Sequence, residues 1–579
     1  MDLYAVAQHY LDRILESEPD PAAGEDIKVL LLDSVTSSVI SMVTTQSELL
    51  KKDVFLIDKL DNFQRDNLRN LACICFVQPS SATIGDLAKE IANPNYKNYT
   101  VYFSNTVSRS HLERLAESDD LEMISKVVEV FQDYLVVNSS LFTMPQKLAP
   151  HSPLVHDSWN QPAFDQSLQS LMSVLLSLKY KPVIRYESNS KMCAKLANAI
   201  NFEINSNQML FGQLPARDLP PSLLVLDRKN DPITPLLFPW TYQSMIHELL
   251  GIRNNTVDMS QMANVSEELK ELVVNEQTDQ FYKESMYLNF GDLSESLKKF
   301  IETYKAKTKT SSNISSIKDM KFFLENYPEF KKTSINLSKH MLLSTEIDKK
   351  INQLRLWEVG ELEQSLATND NSSADLAELE DLLFDRKLQN GQPLPPLDEN
   401  TKLKLLALYA LRYEAHASSQ LSRLTRQLQQ TGFPAHKLEL VKTLLKNSGV
   451  AQRLKDDDDS IFEKVSNSAM GNVINGISFA DNSDSNVYMQ HSPRLKQVLM
   501  KLFRNKLNPK NYTLVKPNGL ESYTGNDKIP DQELVIFIVG GVTYEEARLV
   551  AELNKTNKNV KLVIGGTSIL DSDTFIGLK

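Results

Sequence analysis

The stretch 223–245 reads LLVLDRKNDPITPLLFPWTYQSM. Apolar residues 223–226 lead into Asp227 and Arg228, and Asp231-Pro232 and Thr234-Pro235 then break any regular element. A short apolar run ending in a carboxylate is the pattern of a buried strand in a parallel sheet. α/β enzymes place catalytic acids and metal ligands at that end of the strand. Asp227 is therefore either such a group or a structural one that pairs with Arg228 or caps the turn.

Working toward the N-terminus, the same pattern recurs. IKVLLLD (27–33), VFLID (54–58), LACICFV (71–77) and TVYFS (100–104) read as strands, and two of them also end in an acid, Asp33 and Asp58. Helical patterns fall between or after them: SELLKK, SATIGDLAKEIA, SRSHLERLAES and DLEMISKVVEVFQDYL. Strands alternating with helices predict a parallel sheet covered on both faces, closing near residue 136.

A second α/β pattern starts after a proline-rich connection at 145–162. It holds a helix near 167–179, a strand at 182–186, a helix at 191–204 and the strand at 223–227. From about 250 to 480 the pattern turns almost wholly helical, and strands return at 533–541 and 561–566. The economical reading is three units: 1–136, then 137–250 completed by 480–579, with 251–479 as a helical insertion. Within the insertion, Leu337, Met341, Ile347, Ile351 and Leu354 share a helical face, and Pro328 before them predicts a bend or an unwound loop. Segments 366–399 and 455–463 read as loops.

Composition narrows the function classes. The 579 residues carry a net charge of −11, against a dedicated nucleic-acid binder. Residues 1–136 hold 12 Lys and Arg against 22 Asp and Glu, so nearly all the excess acid sits in the first quarter. That is a solvated acidic surface or a face that steers a basic partner. Cys73, Cys75 and Cys193 form neither a disulfide framework nor a zinc site and read as core thiols. No apolar window is long enough to span a bilayer, and no signal peptide or lipidation motif is expected, so any membrane role runs through a partner.

The usual chemical motifs are missing. Gly540-Gly541 sits between strand and helix, but neither a third spaced glycine nor a G-K-[ST] follows, and Glu545 and Glu546 in the first turn would repel a phosphate. Tight strand-to-helix turning is the reading for this pair and for Gly565-Gly566. The nine histidines show no metal-binding spacing, no G-x-S-x-G elbow exists, and Asp456–Asp459 lacks the glycine and the closing glutamate of a calcium loop. No cofactor or metal is expected.

Several stretches together resemble the Sec/Munc (SM) family of syntaxin-binding proteins: TQSELLKK (45–52), HLERLAESDD (111–120), the 223–245 block, NVYMQHSP (486–493), IVGGVTYEEARLVAELN (538–554) and VIGGTSIL (563–570). The likeness runs from about 27 to 570. It implies an arch-shaped fold with two parallel-sheet α/β domains, the second completed by the C-terminus, and a large helical domain inserted between. It implies a chain that binds a syntaxin-type SNARE and promotes SNARE-complex assembly. The branch it most resembles serves trans-Golgi to endosome transport, from a cytoplasmic position peripheral to Golgi, endosome and vesicle membranes. The competing reading is a nucleotide- or phosphate-handling enzyme built on the strand-end acids Asp33, Asp58 and Asp227.

The resemblance also implies two contact regions. A pocket for the N-terminal peptide of the syntaxin is similar to the face carrying Leu112, Leu115 and Ala116 with Ile124, Val127 and Phe131. The spacing alone favours a packed pair of helices with no ligand, and it is the resemblance that turns the reading to a pocket. A helical hairpin near 319–357 would contact the vesicle SNARE and the assembled complex, with Pro328 at the hinge and Leu337, Met341 and Ile351 on the template face. Coiled-coil-like core packing is the other reading of those three apolar residues.

Overall fold

Residues Val29–Leu32 are buried on both sides of their strand, as a run of four uninterrupted aliphatic residues requires. The computed structural model describes residues 2–578 apart from 17–26, 146–157, 216, 218, 263–264, 313–316, 369–370, 390–391, 418, 456–472, 475–476, 479–485 and 516–532. The first five strands are β1 Lys28–Leu32, β2 Val54–Lys59, β3 Leu68–Val77, β4 Tyr96–Phe103 and β5 Ile124–Glu129. They form one all-parallel sheet in the order β2-β1-β3-β4-β5. The chain reverses direction across the sheet between β1 and β3, and crevices for ligands form at the carboxyl ends of strands there.

Four further strands follow: β6 Leu135–Val136, β7 Leu141–Thr143, β8 Val183–Glu187 and β9 Ser222–Asp227. In the largely helical section, Thr256–Asp258 (β10) and Glu271–Val273 (β11) pair antiparallel. The C-terminal strands are β12 Tyr512–Leu514, β13 Glu533–Val539 and β14 Lys561–Gly566. The second sheet has seven strands in the order β12-β8-β9-β13-β14-β7-β6. β13 lies parallel to β9 with Val539 opposite Asp227, and β14 lies parallel to β7. Strands separated by some 300 residues of sequence are thus hydrogen-bonded neighbours, and the C-terminus completes the second sheet. β6 belongs to this sheet, so the expected division at 136 falls after its first strand rather than before it.

The helical section contains the Phe290–Ser312 and Ile317–Gln353 helices, which pack together as a hairpin, and the Leu356–Thr368, Ser372–Leu383 and Glu399–Tyr413 helices around a leucine-rich core. Three expectations are corrected here. Residues 124–129 are a strand, not a helix: Ile124, Val127 and Val128 are β-branched, and the open edge of β4 gives them a full ladder of partners. Residues 372–383 are a helix, not a loop, because Leu376, Leu379, Leu382 and Leu383 supply a 3–4 spacing that outweighs the polar residues around them. Of the two forms expected at Pro328, a bend or an unwound loop, the second is overturned: the 37-residue Ile317–Gln353 helix runs through it as one helix. A proline removes a single backbone donor, and the rest of a long helix retains its own bonds. The acid run Asp456–Asp459 lies outside the described residues.

Candidate functional site

Asp33, Asp58 and Asp227, the three strand-end acids, are each committed to backbone or side-chain donors. Asp33 Oδ1 accepts from the Val35 and Thr36 N–H groups, both at 2.8 Å, and Oδ2 accepts from the Gln78 N–H at 2.6 Å. Asp58 accepts from Lys59 N–H and Asn62 Nδ2. Asp227 accepts from Lys229 N–H at 3.0 Å and from the Ser190 hydroxyl, and burial pushes its carboxyl up to about 6. These are N-caps and turn ties, the structural half of the two readings.

The rest of the 223–245 block joins the second sheet to the helices. Buried Arg228 bonds to the Gly541 carbonyl and pairs with Glu546. Asp231 receives the Thr234 N–H and hydroxyl and the Arg494 N–H. Trp240 stacks on Trp357 with ring centroids 4.6 Å apart and meets Tyr488 at 4.7 Å. A Cβ on Gly360 would come within 3.0 Å of the Trp240 ring, so the glycine lets the Leu356–Thr368 helix approach this closely. Glu363 on that helix accepts from the Phe238 N–H at 2.8 Å. Gly540 and Gly541 have φ of 94° and 105°, the left-handed region a tight strand-to-helix turn needs, and the following helix carries a Thr543–Glu546 capping box.

Three surfaces remain to be described. The first lies on the first sheet. Ser125 is an extra residue in β5: Ile124 pairs with Tyr99, yet Lys126 pairs with the next residue, Thr100. This bulge places Ile124 and Val127 on the same face, opposite Tyr99 and Val101, and that face packs on Leu115 of the Arg109–Glu117 helix. Leu115 is buried, whereas Leu112 is 38% and Val127 42% exposed, and Ala116 is also exposed. Asp119 shapes the turn between helix and strand by accepting from the Met123 and Ile124 N–H groups. The same turn exposes Leu121, which sequence periodicity does not single out because it sits on no repeating face. Glu113, Glu117, Asp120 and Glu122 are exposed around this face. Phe131 does not belong to it. It lies beyond the end of β5 and is half-buried against the cores flanking the second sheet, because the expected helical turn that would have brought it round is absent.

The second surface is a cavity of about 1200 Å³ walled by all three parts of the chain. Ser34, Val35, Ser38 and Met42 come from the helix after β1, Leu135 from β6 with Val137 just beyond that strand, and Leu250–Thr256 and Asp258 with Glu271 from the helical section. It opens at the carboxyl end of β1, beside the point where strand order reverses, where an α/β enzyme would bind its ligand. Here Asp33 is spent on capping, and the walls mix aliphatic residues with Arg253, Asp258 and Glu271. Such a lining suits an amphipathic helix. The signal for this cavity was the acid at the end of β1, read for chemistry rather than for position.

The third is the hairpin. Leu343, Ile347 and Ile351 are fully buried in a core with Tyr242, Phe281 and Tyr282, so Ile351 is a packing residue and not a free template position. Met341 lies about 120° round the helix from Ile347, at 100° per residue, and is 46% exposed. Leu337 is buried. The side chain of Pro328 lies outside the described residues.

The model described as Sec1 family matches residues 28–577. The chain belongs to the Sec1 family. This Sec1-family chain is 40% identical to vacuolar protein sorting-associated protein 45 of Saccharomyces cerevisiae, covering 100% of this chain and 99% of that protein. It is 35% identical to the human protein of the same name, covering 100% and 95%. Among solved structures it is similar to the SM protein Vps45 in complex with the Qa SNARE Tlg2, at 38% identity and a TM-score of 0.87, covering 100% of this chain and 97% of that one. Its first α/β part on an all-parallel sheet, its second on a sheet that is parallel at the centre with an antiparallel strand at each edge rather than parallel throughout as expected, and its helical insertion are those of the SM fold.

Proposed function

We propose that this Sec1-family chain binds a syntaxin-type SNARE and promotes assembly of the fusion-competent SNARE complex on the trans-Golgi to endosome route. The observation that carries the reading is full-length likeness to Vps45, one solved structure of which is a complex with the Qa SNARE Tlg2. The exposed Leu112–Ala116–Val127 face takes an apolar anchor from the N-terminal peptide of the syntaxin, and the surrounding carboxylates take a basic neighbour. The cavity takes a helical segment of the same partner. The hairpin, with Met341 outward, faces the vesicle SNARE and the assembled complex. Holding disordered SNARE segments side by side lowers the ordering cost that zippering must overcome. The chain acts by gripping, without turnover or cofactor, and reaches Golgi and endosome membranes through its partners. Among the described residues no helix is long and apolar enough to cross a membrane.

The test is a binding titration with the cytosolic domains of a panel of syntaxin-type SNAREs, using the parent chain and Leu112→Lys. One cognate SNARE should bind, and the substitution should weaken its N-terminal peptide about ten- to a hundredfold, the worth of one buried leucine contact. No binding by any panel member removes the reading. Binding with unchanged affinity in a folded Leu112→Lys variant removes the peptide site.

A further inference from the structure

The face that carries Leu112, Ala116, Ile124 and Val127 is a groove between one helix and one strand. The Arg109–Glu117 helix packs on β5 through Leu115, and the chain passes from one to the other in a single turn, 118–123. That turn closes the groove at the amino end of β5. At the other end Glu129 accepts from the Val107 N–H at 2.7 Å, so helix and strand are tied there as well.

The turn has little freedom. The N–H groups of Ser118 and Asp119 return to the carbonyls of Leu115 and Ala116. The Asp119 carboxylate takes the N–H groups of Met123 and Ile124 at 2.6 and 3.0 Å, and Glu122 sits at φ 54°, in the left-handed region. Met123 packs against the core of the first sheet, and its carbonyl accepts from the Tyr99 N–H at 2.9 Å. Every neighbour of Leu121 is thus held by a bond or by packing, while Leu121 itself is 62% exposed. A lone exposed leucine on a surface is ordinary. This one is different in its place: it prolongs the line of the exposed Leu112 and Val127, and the exposed acids Asp120 and Glu122 flank it on either side.

We propose that Leu121 is a second apolar subsite of the groove and selects among N-terminal SNARE peptides. This rests on the reading that the Leu112–Ala116–Val127 face takes such a peptide. The groove runs without a break from that face to the turn, so the occupant is the same peptide, carried further toward the amino end of β5. A strand advances about 3.3 Å per residue, which sets Val127 and Leu121 on the order of 10–15 Å apart and separates the two anchors by about three to five residues of extended peptide. Asp120 and Glu122 favour a basic residue beside the second anchor. A peptide with one apolar residue fills the face alone. A peptide with two at this spacing fills both, and the difference in affinity is the selection.

The full chain is titrated calorimetrically with a synthetic N-terminal peptide of the SNARE that binds in the panel, and with versions of that peptide in which each apolar residue is changed to alanine in turn. The parent, Leu121→Ser, Leu112→Lys and the pair Asp120→Asn with Glu122→Gln are compared. Leu121→Ser should weaken the unaltered peptide about five- to fiftyfold, as an exposed leucine that becomes covered on binding requires. One apolar peptide position, distinct from the anchor at Leu112, should lose its effect in Leu121→Ser and keep it in Leu112→Lys, because the two side chains then form a coupled pair. The acid pair should flatten the salt dependence of binding. A merely structural role for Leu121 would weaken every peptide alike, with losses that add. Additive losses at every position, or parent affinity in folded Leu121→Ser while Leu112→Lys binds weakly, overturn the subsite and leave the peptide face standing. Parent affinity in both Leu121→Ser and Leu112→Lys, or no binding of the peptide, overturns the face and the subsite together.

Discussion

Arg228 and Glu546 lie 318 residues apart in sequence and meet in an ion pair of 2.5 Å, both side chains almost wholly buried. Arg228 leaves the end of β9, and Glu546 sits in the first turn of the helix that follows β13. The pair locks the C-terminal strands onto the strand they complete. It also ties the 223–245 block to the Gly540-Gly541 turn, whose Gly541 carbonyl accepts from Arg228 as well.

Removing one partner leaves a buried charge unmatched. Glu546→Gln keeps an acceptor for the Thr543 N–H and loses only the charge, so it should destabilise the chain by about 3–5 kcal/mol. Arg228→Met combined with Glu546→Leu should cost clearly less than the two single changes summed, because it removes both charges together. Denaturant melts of the parent, the single variants and the double variant give the comparison. Additive losses would mean that the pair does not interact.

Val127→Asp and Phe131→Ala separate the exposed face from its former neighbour. Val127 is half in water, so the aspartate should cost little stability yet weaken an N-terminal SNARE peptide tenfold or more. Phe131 packs between cores, so its loss should cost about 2 kcal/mol of stability and leave peptide affinity unchanged. Calorimetric titration and thermal melts of both variants check this, and a peptide-binding defect in folded Phe131→Ala would return that residue to the site.

A parallel contrast holds on the hairpin. Ile351→Ala empties a fully buried position and should lower stability by about 2–5 kcal/mol. Met341→Asp changes a half-exposed one and should stay within about 0.5 kcal/mol of the parent. If the outward face contacts the vesicle SNARE, the Met341 variant alone should slow SNARE assembly while remaining fully folded. Fluorescence-monitored assembly kinetics decide it.

Glu363 supplies a pH signature. It is buried at the Trp240 junction with one donor, the Phe238 N–H, and burial pushes its carboxyl up to about 8. The folded chain thus holds a proton that the unfolded chain releases near pH 4.5. The stability this confers is complete below that pH and is lost as pH rises toward 8. Glu363→Gln mimics the protonated acid. It should melt like the parent at pH 5 and at a higher temperature at pH 8. The gain at pH 8 should be on the order of a few kcal/mol, since each tenfold change in proton affinity is worth about 1.4 kcal/mol. Equal melting temperatures at pH 8 would mean that Glu363 is not held protonated.

What the sequence settled by itself is what depends on neighbours in the chain. Aliphatic runs ending in acids became parallel strands and Gly540-Gly541 became a left-handed turn, because dihedral preference and burial of apolar runs act within a few residues, while the two readings left open for Asp227 were decided by its bonds to Lys229 and Ser190. The return of the C-terminus to complete the second sheet was also legible, since two orphan strands must find an edge. Only the tertiary structure decided the fate of 124–131, where helical spacing and β-branching compete and the open edge of β4 selects the strand. The bulge at Ser125 then puts Ile124 and Val127 on one face and sends Phe131 elsewhere. Likewise Met341 and Ile351 read alike in sequence, yet one faces solvent and the other a core, because the helix is buried along a stripe set by Tyr242, Phe281 and Tyr282. The cavity, walled by segments more than 200 residues apart, exists in no local pattern at all, since its shape comes from how the sheets and helices close on one another.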